Sequence, residues 1–272
     1  MINLQNPSTD SKTDNDQLRE ILQSLKAKSR NLRRQAQADI LPDELGMTCP
    51  ICKNKGFILT EKGAIPCKCY PERRARAQLI SAGVDVDEFA RLTLANFPQD
   101  TPEARKMYSM AVRYINHRKP GQSIAYTGRS GTMKTSICIS VCQELARRGE
   151  EYTYFQYRAE VQKLKSIMYT EQYSKRIKHL IKCPNLFIDD FLKFAEAKKP
   201  FGGGKSEIQG QDLQICFDII NGRYLNKKST IFSSEYSFSW IMKEIDEALG
   251  SRLLQMCEGY GMHCTGENRR LR

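Results

Sequence analysis

No apolar run in this chain approaches the ~18 residues that a helical membrane crossing needs. The polar start Met1-Ile2-Asn3-Leu4 also lacks the charged and apolar regions of a signal peptide. Both absences predict a cytoplasmic protein without membrane attachment, in a compartment where thiols stay reduced. They exclude a disulfide framework, so the ten cysteines read as metal ligands or buried thiols. Acidic residues are in deficit, 31 against 43 lysines and arginines, which leaves a formal charge of +12. That balance favours a polyanionic partner such as nucleic acid, although a soluble basic protein with no such partner has the same composition. No internal repeat is visible, so the chain is not a repeat array. What is there, 272 residues with 40% hydrophobic content, suffices for one substantial domain and a small one.

Residues 1–16 are polar and are expected to be disordered. From Gln17 the pattern changes: Leu18, Leu25 and Leu32 recur every seven residues, with Ile21 and Leu22 on the same face, which predicts an amphipathic helix over 17–40. Its middle carries Lys26, Lys28, Arg30, Arg33 and Arg34 with no acid between them. This is either a solvated face or a docking helix for a partner or DNA. The organisation read from the sequence is a start and basic helix over 1–46, a small module over 47–71, connector helices over 72–100 and the main domain over 101–272.

Cys49-Pro50-Ile51-Cys52 and Cys67-Lys68-Cys69 frame that small module in a C-x2-C-x14-C-x-C arrangement. Four thiolates at this spacing suit tetrahedral Zn²⁺, and Phe57 to Thr60 followed by Ala64-Ile65 reads as a hairpin that returns the second pair to the first. Reduced thiols without metal are the alternative. A segment this short cannot fold on apolar burial alone, so the metal would supply its stability.

From Pro102 onward helical and strand signals alternate. Helices are expected at 102–118, 135–148, within 159–181, at 209–225 and on to about 257; strands at 123–127, 152–157, 185–189 and 229–234. This is an α/β pattern, a parallel sheet covered by helices on both faces. Gly128-Arg129-Ser130-Gly131-Thr132-Met133-Lys134-Thr135 follows the first of these strands and opens a helix. It reads as a phosphate-binding P-loop, G-x-x-x-x-G-K-[ST], in which backbone N–H groups turn toward the phosphates, the lysine reaches the β/γ oxygens and the hydroxyl ligates Mg²⁺. Met133 stands where the motif has its second glycine. A side chain there either crowds the β-phosphate or, if its backbone is helical, costs little. An ordinary strand-turn-helix corner is the plain alternative. Gly202-Gly203-Gly204-Lys205-Ser206 is a second glycine-rich match, but Lys199 occupies its first glycine position and no strand precedes it, so it reads as a surface loop.

Phe187-Ile188-Asp189-Asp190 ends an apolar strand in two acids. Beside a P-loop, Asp189 suits the Mg²⁺ and Asp190 the attacking water. With Ile220 to Tyr224, Ser229 to Glu235, Gly250-Ser251-Arg252-Leu253 and Gly266 to Leu271, these segments over residues 47–272 resemble AAA+ ATPases, within them the bacterial and phage helicase loaders of the DnaC/DnaI type. The resemblance implies ATP and Mg²⁺ as ligands beside the Zn²⁺ module. It places Ser233-Ser234 at the sensor-1 strand end, with Ser234 as the catalytic contact, and makes Arg252 an arginine finger reaching the nucleotide of a neighbouring subunit. It implies self-assembly through the AAA+ domain, single-stranded DNA and a DnaB-type replicative helicase as partners, and ATP-dependent helicase loading as the function. Asp190 stands where such ATPases more often have Glu, which with Met133 suggests slow turnover. Arg223 and Glu235 match family positions without an assigned role. Two other functions share these features: an IstB-like transposition helper, against which the cysteine module argues, and a non-hydrolysing zinc-stabilised adaptor for helicase or DNA. Tyr152, Tyr154, Phe155 and Tyr157 offer bases a stacking platform, but a strand core explains most of them.

Overall fold

Two four-residue strands with a tight return open the visible chain. The computed structural model describes residues 47–61, 63–193 and 210–271. The expected helix over 17–40, the polar start and the Gly202 to Ser206 loop therefore lie outside the described residues. β1 (Phe57–Thr60) and β2 (Gly63–Pro66) pair antiparallel, with Phe57 opposite Pro66, and bring Cys67 and Cys69 back beside Cys49 and Cys52. All four residues of β2 are exposed, so this hairpin buries little of its own. α1 (Tyr70–Ser81) begins directly after Cys69, with Pro71 in the first turn, where a missing N–H leaves no bond unmade. α2 (Val86–Arg91) is capped by the Asp85 carboxylate, which accepts the N–H groups of Asp87 and Glu88.

The main body is a five-stranded parallel sheet in the order β4-β5-β6-β3-β7. Its strands are β3 (Ile124–Gly128), β4 (Tyr152–Gln156), β5 (Asn185–Phe191), β6 (Ser229–Ser234) and β7 (Gly261–Cys264). Between them run α3 (Pro102–His117), α4 (Lys134–Arg147), α5 (Tyr157–Ser166), α6 (Glu171–Lys182), α7 (Gly210–Leu225), α8 (Phe238–Glu244) and α9 (Glu247–Met256). The period-2 alternation of the strands divides the core in two. Ile124, Tyr126, Tyr152, Phe187 and Ile231 pack with α1, α3 and α4 on one face. Ala125, Phe155, Leu186, Ile188 and Phe232 pack with α5 to α9 on the other. The aromatics at 152, 155 and 157 are buried in these two layers, so the strand core accounts for them.

β7 departs from the sequence expectation, which places no element beyond about 257. It adds a fifth strand beside the P-loop strand, Ala125 opposite Gly261 and Gly128 opposite Cys264. The approach is close: a Cβ on Gly128 would lie 2.1 Å from the Cys264 carbonyl oxygen, and its φ of +110° is open only to glycine. No helix among the described residues is long and apolar enough to cross a membrane.

Candidate functional site

The carboxyl ends of β3, β5 and β6 meet at one rim of the sheet, where crevices for ligands form in such folds. β3 delivers the loop from Gly128 to Met133, and α4 begins at Lys134 with its free N–H groups turned toward the rim. The Lys134 ammonium is buried, donating to the carbonyls of Gly128 at 2.9 Å and Arg129 at 2.6 Å. Burial holds its pKa below the usual lysine value. Thr132 Oγ1 donates to the Arg129 carbonyl at 2.9 Å and stiffens the loop.

Met133 has a left-handed backbone, φ +64° and ψ +21°, at the N-cap of α4. The glycine conformation of the motif is thus kept by a residue that pays roughly 1–2 kcal/mol for it. The helical alternative, in which methionine costs little, does not hold. Its side chain lines two adjoining cavities. One of about 170 Å³ is polar, bounded by Ser130, Lys134, Thr135, Asp190, Lys193 and Arg270. The other, about 410 Å³, is bounded by Pro102, Glu103, Met107, Thr265 and Arg269. Met133→Gly should relieve the backbone strain and leave nucleotide affinity equal or tighter. Met133→Val puts a β-branched residue at positive φ and should weaken it by tenfold or so, a contrast that calorimetry reads directly.

A bulge aims the two acids. β5 and β6 shift register between Ile188 and Phe191, and within the bulge Asp190 adopts φ +54°. Ser233 stitches the bulge: its hydroxyl donates to Asp189 Oδ1 at 2.5 Å and accepts the Asp190 N–H at 2.9 Å. Thr135 Oγ1 donates to the same Asp189 oxygen at 2.9 Å, and Tyr154 donates to Oδ2 at 3.0 Å. The P-loop threonine and the strand carboxylate therefore sit together, as a pair that holds Mg²⁺ must. Burial, opposed by the Ser233 and Thr135 hydrogen bonds, raises the Asp189 pKa, and the Asp190 charge adds to the rise. A raised pKa keeps the proton on to higher pH, and a cation binds only the ionised form. Mg²⁺-dependent nucleotide binding should therefore fall on acidification, beginning above the usual aspartate range. A binding titration against pH with and without Mg²⁺ checks this.

Ser234, the expected sensor, is fully buried; its hydroxyl donates to the Phe191 carbonyl at 2.8 Å and accepts the Tyr236 N–H at 3.1 Å. Ser233 is the serine beside the acids. Arg252, on α9, lines neither cavity; Nη1 donates to the Ala248 carbonyl, and the guanidinium lies 5.1 Å from the Phe217 ring centre and 6.0 Å from that of Tyr224. Arg223 is fully buried and donates to the Leu180, Cys183 and Ser229 carbonyls and to Thr230 Oγ1, tying the end of α6 to the start of β6. Its role is structural. Glu235 pairs with Lys193 at 3.5 Å, and Lys193 also holds Asp190 at 3.0 Å.

Sequence reasoning missed Lys193, and it marked Gly266 to Leu271 as a matching segment without giving it a place. Residues 265–271 lie over the P-loop: the Arg269 N–H donates to the Gly131 carbonyl, Arg269 pairs with Asp100, and Glu103 accepts the N–H groups of Thr265 and Gly266. A Cβ on Gly131 would meet Asn268 Oδ1 at 1.7 Å.

The four module cysteines form the other cluster. Their Sγ atoms all lie within 4.8 Å of one another, with Cys49 to Cys67 at 3.8 Å and Cys52 to Cys69 at 3.4 Å. Ligands ~2.3 Å from a tetrahedral zinc stand just under 4 Å apart, so the donor set is compatible with that ion. The Gly56 N–H donates to Cys52 Sγ at 3.3 Å. The Cys52 N–H lowers the Cys49 thiol to about 6, whereas burial raises that of Cys69. All ten cysteines are free thiols.

No family model matches the chain. Two curated relatives come from Bacillus subtilis (strain 168). The uncharacterized protein YqaM is 32% identical over 213 residues, 75% of this chain and 64% of YqaM; the phage-like element PBSX protein XkdC is 28% identical over 78% of this chain and 80% of its own length. The chain thus spans less than two thirds of the first of these relatives. Among solved structures, the DnaC helicase loader superposes with a TM-score of 0.54 at 18% identity over 65% of this chain and 98% of its own. DnaI gives 0.51 at 20% over 67% and 93%, and the replication initiator DnaA bound to AMPPCP and single-stranded DNA gives 0.51 at 20% over 66% and 51%. At these identities the likeness is one of fold alone: the chain shares the five-stranded parallel architecture of these proteins and carries a four-cysteine module beside it.

Proposed function

We propose that this protein binds ATP with Mg²⁺ and uses the bound state to load a DnaB-type hexameric helicase onto single-stranded DNA. The observation that carries the proposal is the bracket of Lys134, Thr135 and Asp189, with Asp190 and Lys193 beside it, on a fold like that of a helicase loader. Phosphates fit the 170 Å³ cavity, whose cations are Lys134, Lys193, Arg269 and Arg270, and the adjoining 410 Å³ cavity with Met107 and Met133 fits a nucleoside. Thr135 and Asp189 would hold the Mg²⁺, which neutralises phosphate charge when bound. Asp190, released from Lys193, would orient the attacking water. The cysteine cluster would hold a structural Zn²⁺, since four protein ligands leave no open position.

A DNA contact is supported by the α5 and α6 pair. Tyr169, 84% exposed at the turn between them with φ +67°, offers a stacking face. Lys163 and Lys175 stand on the two helices with side chains 72% and 71% exposed, each paired with an acid of its own helix, Glu160 and Glu171, from which a phosphate would have to draw it. Aromatic faces beside cations suit single strands. Tyr169→Ala should weaken single-stranded DNA binding by roughly 1–3 kcal/mol while sparing ATP binding, as fluorescence anisotropy would read.

Arg252 fits a finger acting in trans, because it lies away from its own chain's cavities. Arg252→Ala should keep nucleotide binding and lose assembly-dependent ATPase. Mixing it with an Asp190→Asn chain should restore part of the activity, since some interfaces then pair an intact finger with intact acids. If mixtures of co-assembling chains never exceed the single variants, the trans arrangement is wrong. The proposal as a whole is tested by retention of the purified host replicative helicase on the tagged chain with ATP or ADP. Retention that differs between the two nucleotides supports it; absence of retention with either refutes it.

A further inference from the structure

Among the described residues two arginines are fully buried, Arg73 and Arg223, and only Arg223 has a partner at each of its guanidinium nitrogens. Arg223 spends its donors on carbonyls and a hydroxyl. Arg73 donates through Nη1 to the Met47 carbonyl at 3.0 Å, while its Nε and Nη2 have no hydrogen-bond partner among the described residues. A buried guanidinium with one carbonyl acceptor and no ion pair among the described residues is destabilising, a cost that opposite charge nearby would offset.

Arg73 stands in the first turn of α1, and its own N–H donates to the Cys69 carbonyl at 3.0 Å. Its side chain reaches back to Met47, two residues before Cys49. Arg73 is thus tied to both arms of the cluster. Four thiolates around one divalent cation keep an excess of two negative charges, which a small module cannot easily bury uncompensated. Lys53, Lys55 and Lys68 are exposed, where solvent screens them, whereas Arg73 acts from inside the protein, where the same charge acts far more strongly.

We propose that Arg73 is the buried counter-charge of the Cys49/Cys52/Cys67/Cys69 metal site, offsetting the negative excess of the four-thiolate centre and so setting how tightly the ion is held. It is a positioning residue, acting on the ion through the thiolates. The inference rests on the zinc reading given above.

The test compares the full unmodified chain with Arg73→Lys and Arg73→Gln. Each is titrated with a zinc chelator of known affinity, and the pH at which zinc is lost is recorded. Lysine keeps the charge; glutamine keeps a donor for the Met47 carbonyl without the charge. Arg73→Lys should stay close to the unmodified chain. Arg73→Gln should hold zinc about 10–100-fold more weakly, the range seen when groups behind metal ligands are removed. It should also lose zinc at higher pH, because uncompensated thiolates recapture protons sooner. Glutamine holding zinc as tightly as arginine, or both substitutions weakening it equally, overturns the proposal in favour of a packing role. An unmodified chain without zinc overturns the metal reading itself, a distinguishable failure. Should neither substituted chain fold, the unmodified chain titrated at low and high salt decides. Nearly salt-independent affinity supports a buried counter-charge, and a steep salt dependence assigns compensation to the surface lysines instead.

Discussion

Lys134→Ala should weaken ATP binding by a hundredfold or more, to below detection in calorimetry at micromolar protein. Lys134 is the one cation buried within the P-loop, and truncating one partner of a buried charge pair costs about 2–5 kcal/mol. The same change should leave the thermal stability of the nucleotide-free chain nearly intact. Burial lowers the Lys134 pKa, so the folded state disfavours its charged form, and this offsets the two hydrogen bonds to the Gly128 and Arg129 carbonyls that alanine removes. A substitution that abolishes binding without lowering Tm separates a phosphate ligand from a structural lysine. Equal loss of both would make Lys134 a scaffold residue.

Removal of zinc should unfold residues 47–69 and little else. The module exposes Ile51 in its first cysteine turn and Leu59 and Ile65 in its hairpin, and a two-stranded hairpin is marginal in water at best. Structural zinc supplies of order 10 kcal/mol at neutral pH, more than a segment of this size gains by burial. From Ala75 onward the apolar residues of α1 belong to the core shared with α3 and α4, so the sheet and its P-loop have their own source of stability. Hydrogen exchange after chelation should show rapid labelling of β1 and β2, slow labelling of β3 to β6, and unchanged ATP affinity. Replacement of all four cysteines by serine should reproduce the pattern with less than one zinc per chain. Full stoichiometry in the serine chain would place the metal elsewhere.

The α/β alternation was legible because β3 to β6 are short runs of apolar, aromatic or hydroxyl residues separated by longer stretches of helical pattern. Thr101 before Pro102 and Asp246 before Glu247 mark helix starts in sequence as they do in structure. β7 was not legible. Gly261-Met262-His263-Cys264 has neither a run of branched residues nor clean alternation, and it becomes a strand only because Gly128 lets it lie against β3. The same tertiary contact lays the chain end over the P-loop, and no local pattern in residues 265–271 encodes that.

At the site, the motif located the loop, but not its conformation. A methionine in place of glycine is compatible with either backbone region, and the left-handed one is imposed by the turn into α4. Ser233 faces Asp189 because β5 and β6 pair with Ile188 opposite Phe232, and the bulge that follows leaves Phe191 opposite Ser234; the pairing, which selects between the two serines, is a tertiary fact. Arg223 had no role assigned from the sequence because surface and buried arginines look alike there; its partners are backbone carbonyls brought together by α6 and β6.

The most direct measurement is helicase deposition on circular single-stranded DNA, with the purified host helicase, this chain and ATP, scored as helicase bound to DNA after removal of free protein. Deposition should require the unmodified chain and ATP, and should be lost with Lys134→Ala although that chain still folds. Helicase appearing on the circles equally without this chain, or equally with Lys134→Ala, would contradict nucleotide-dependent loading.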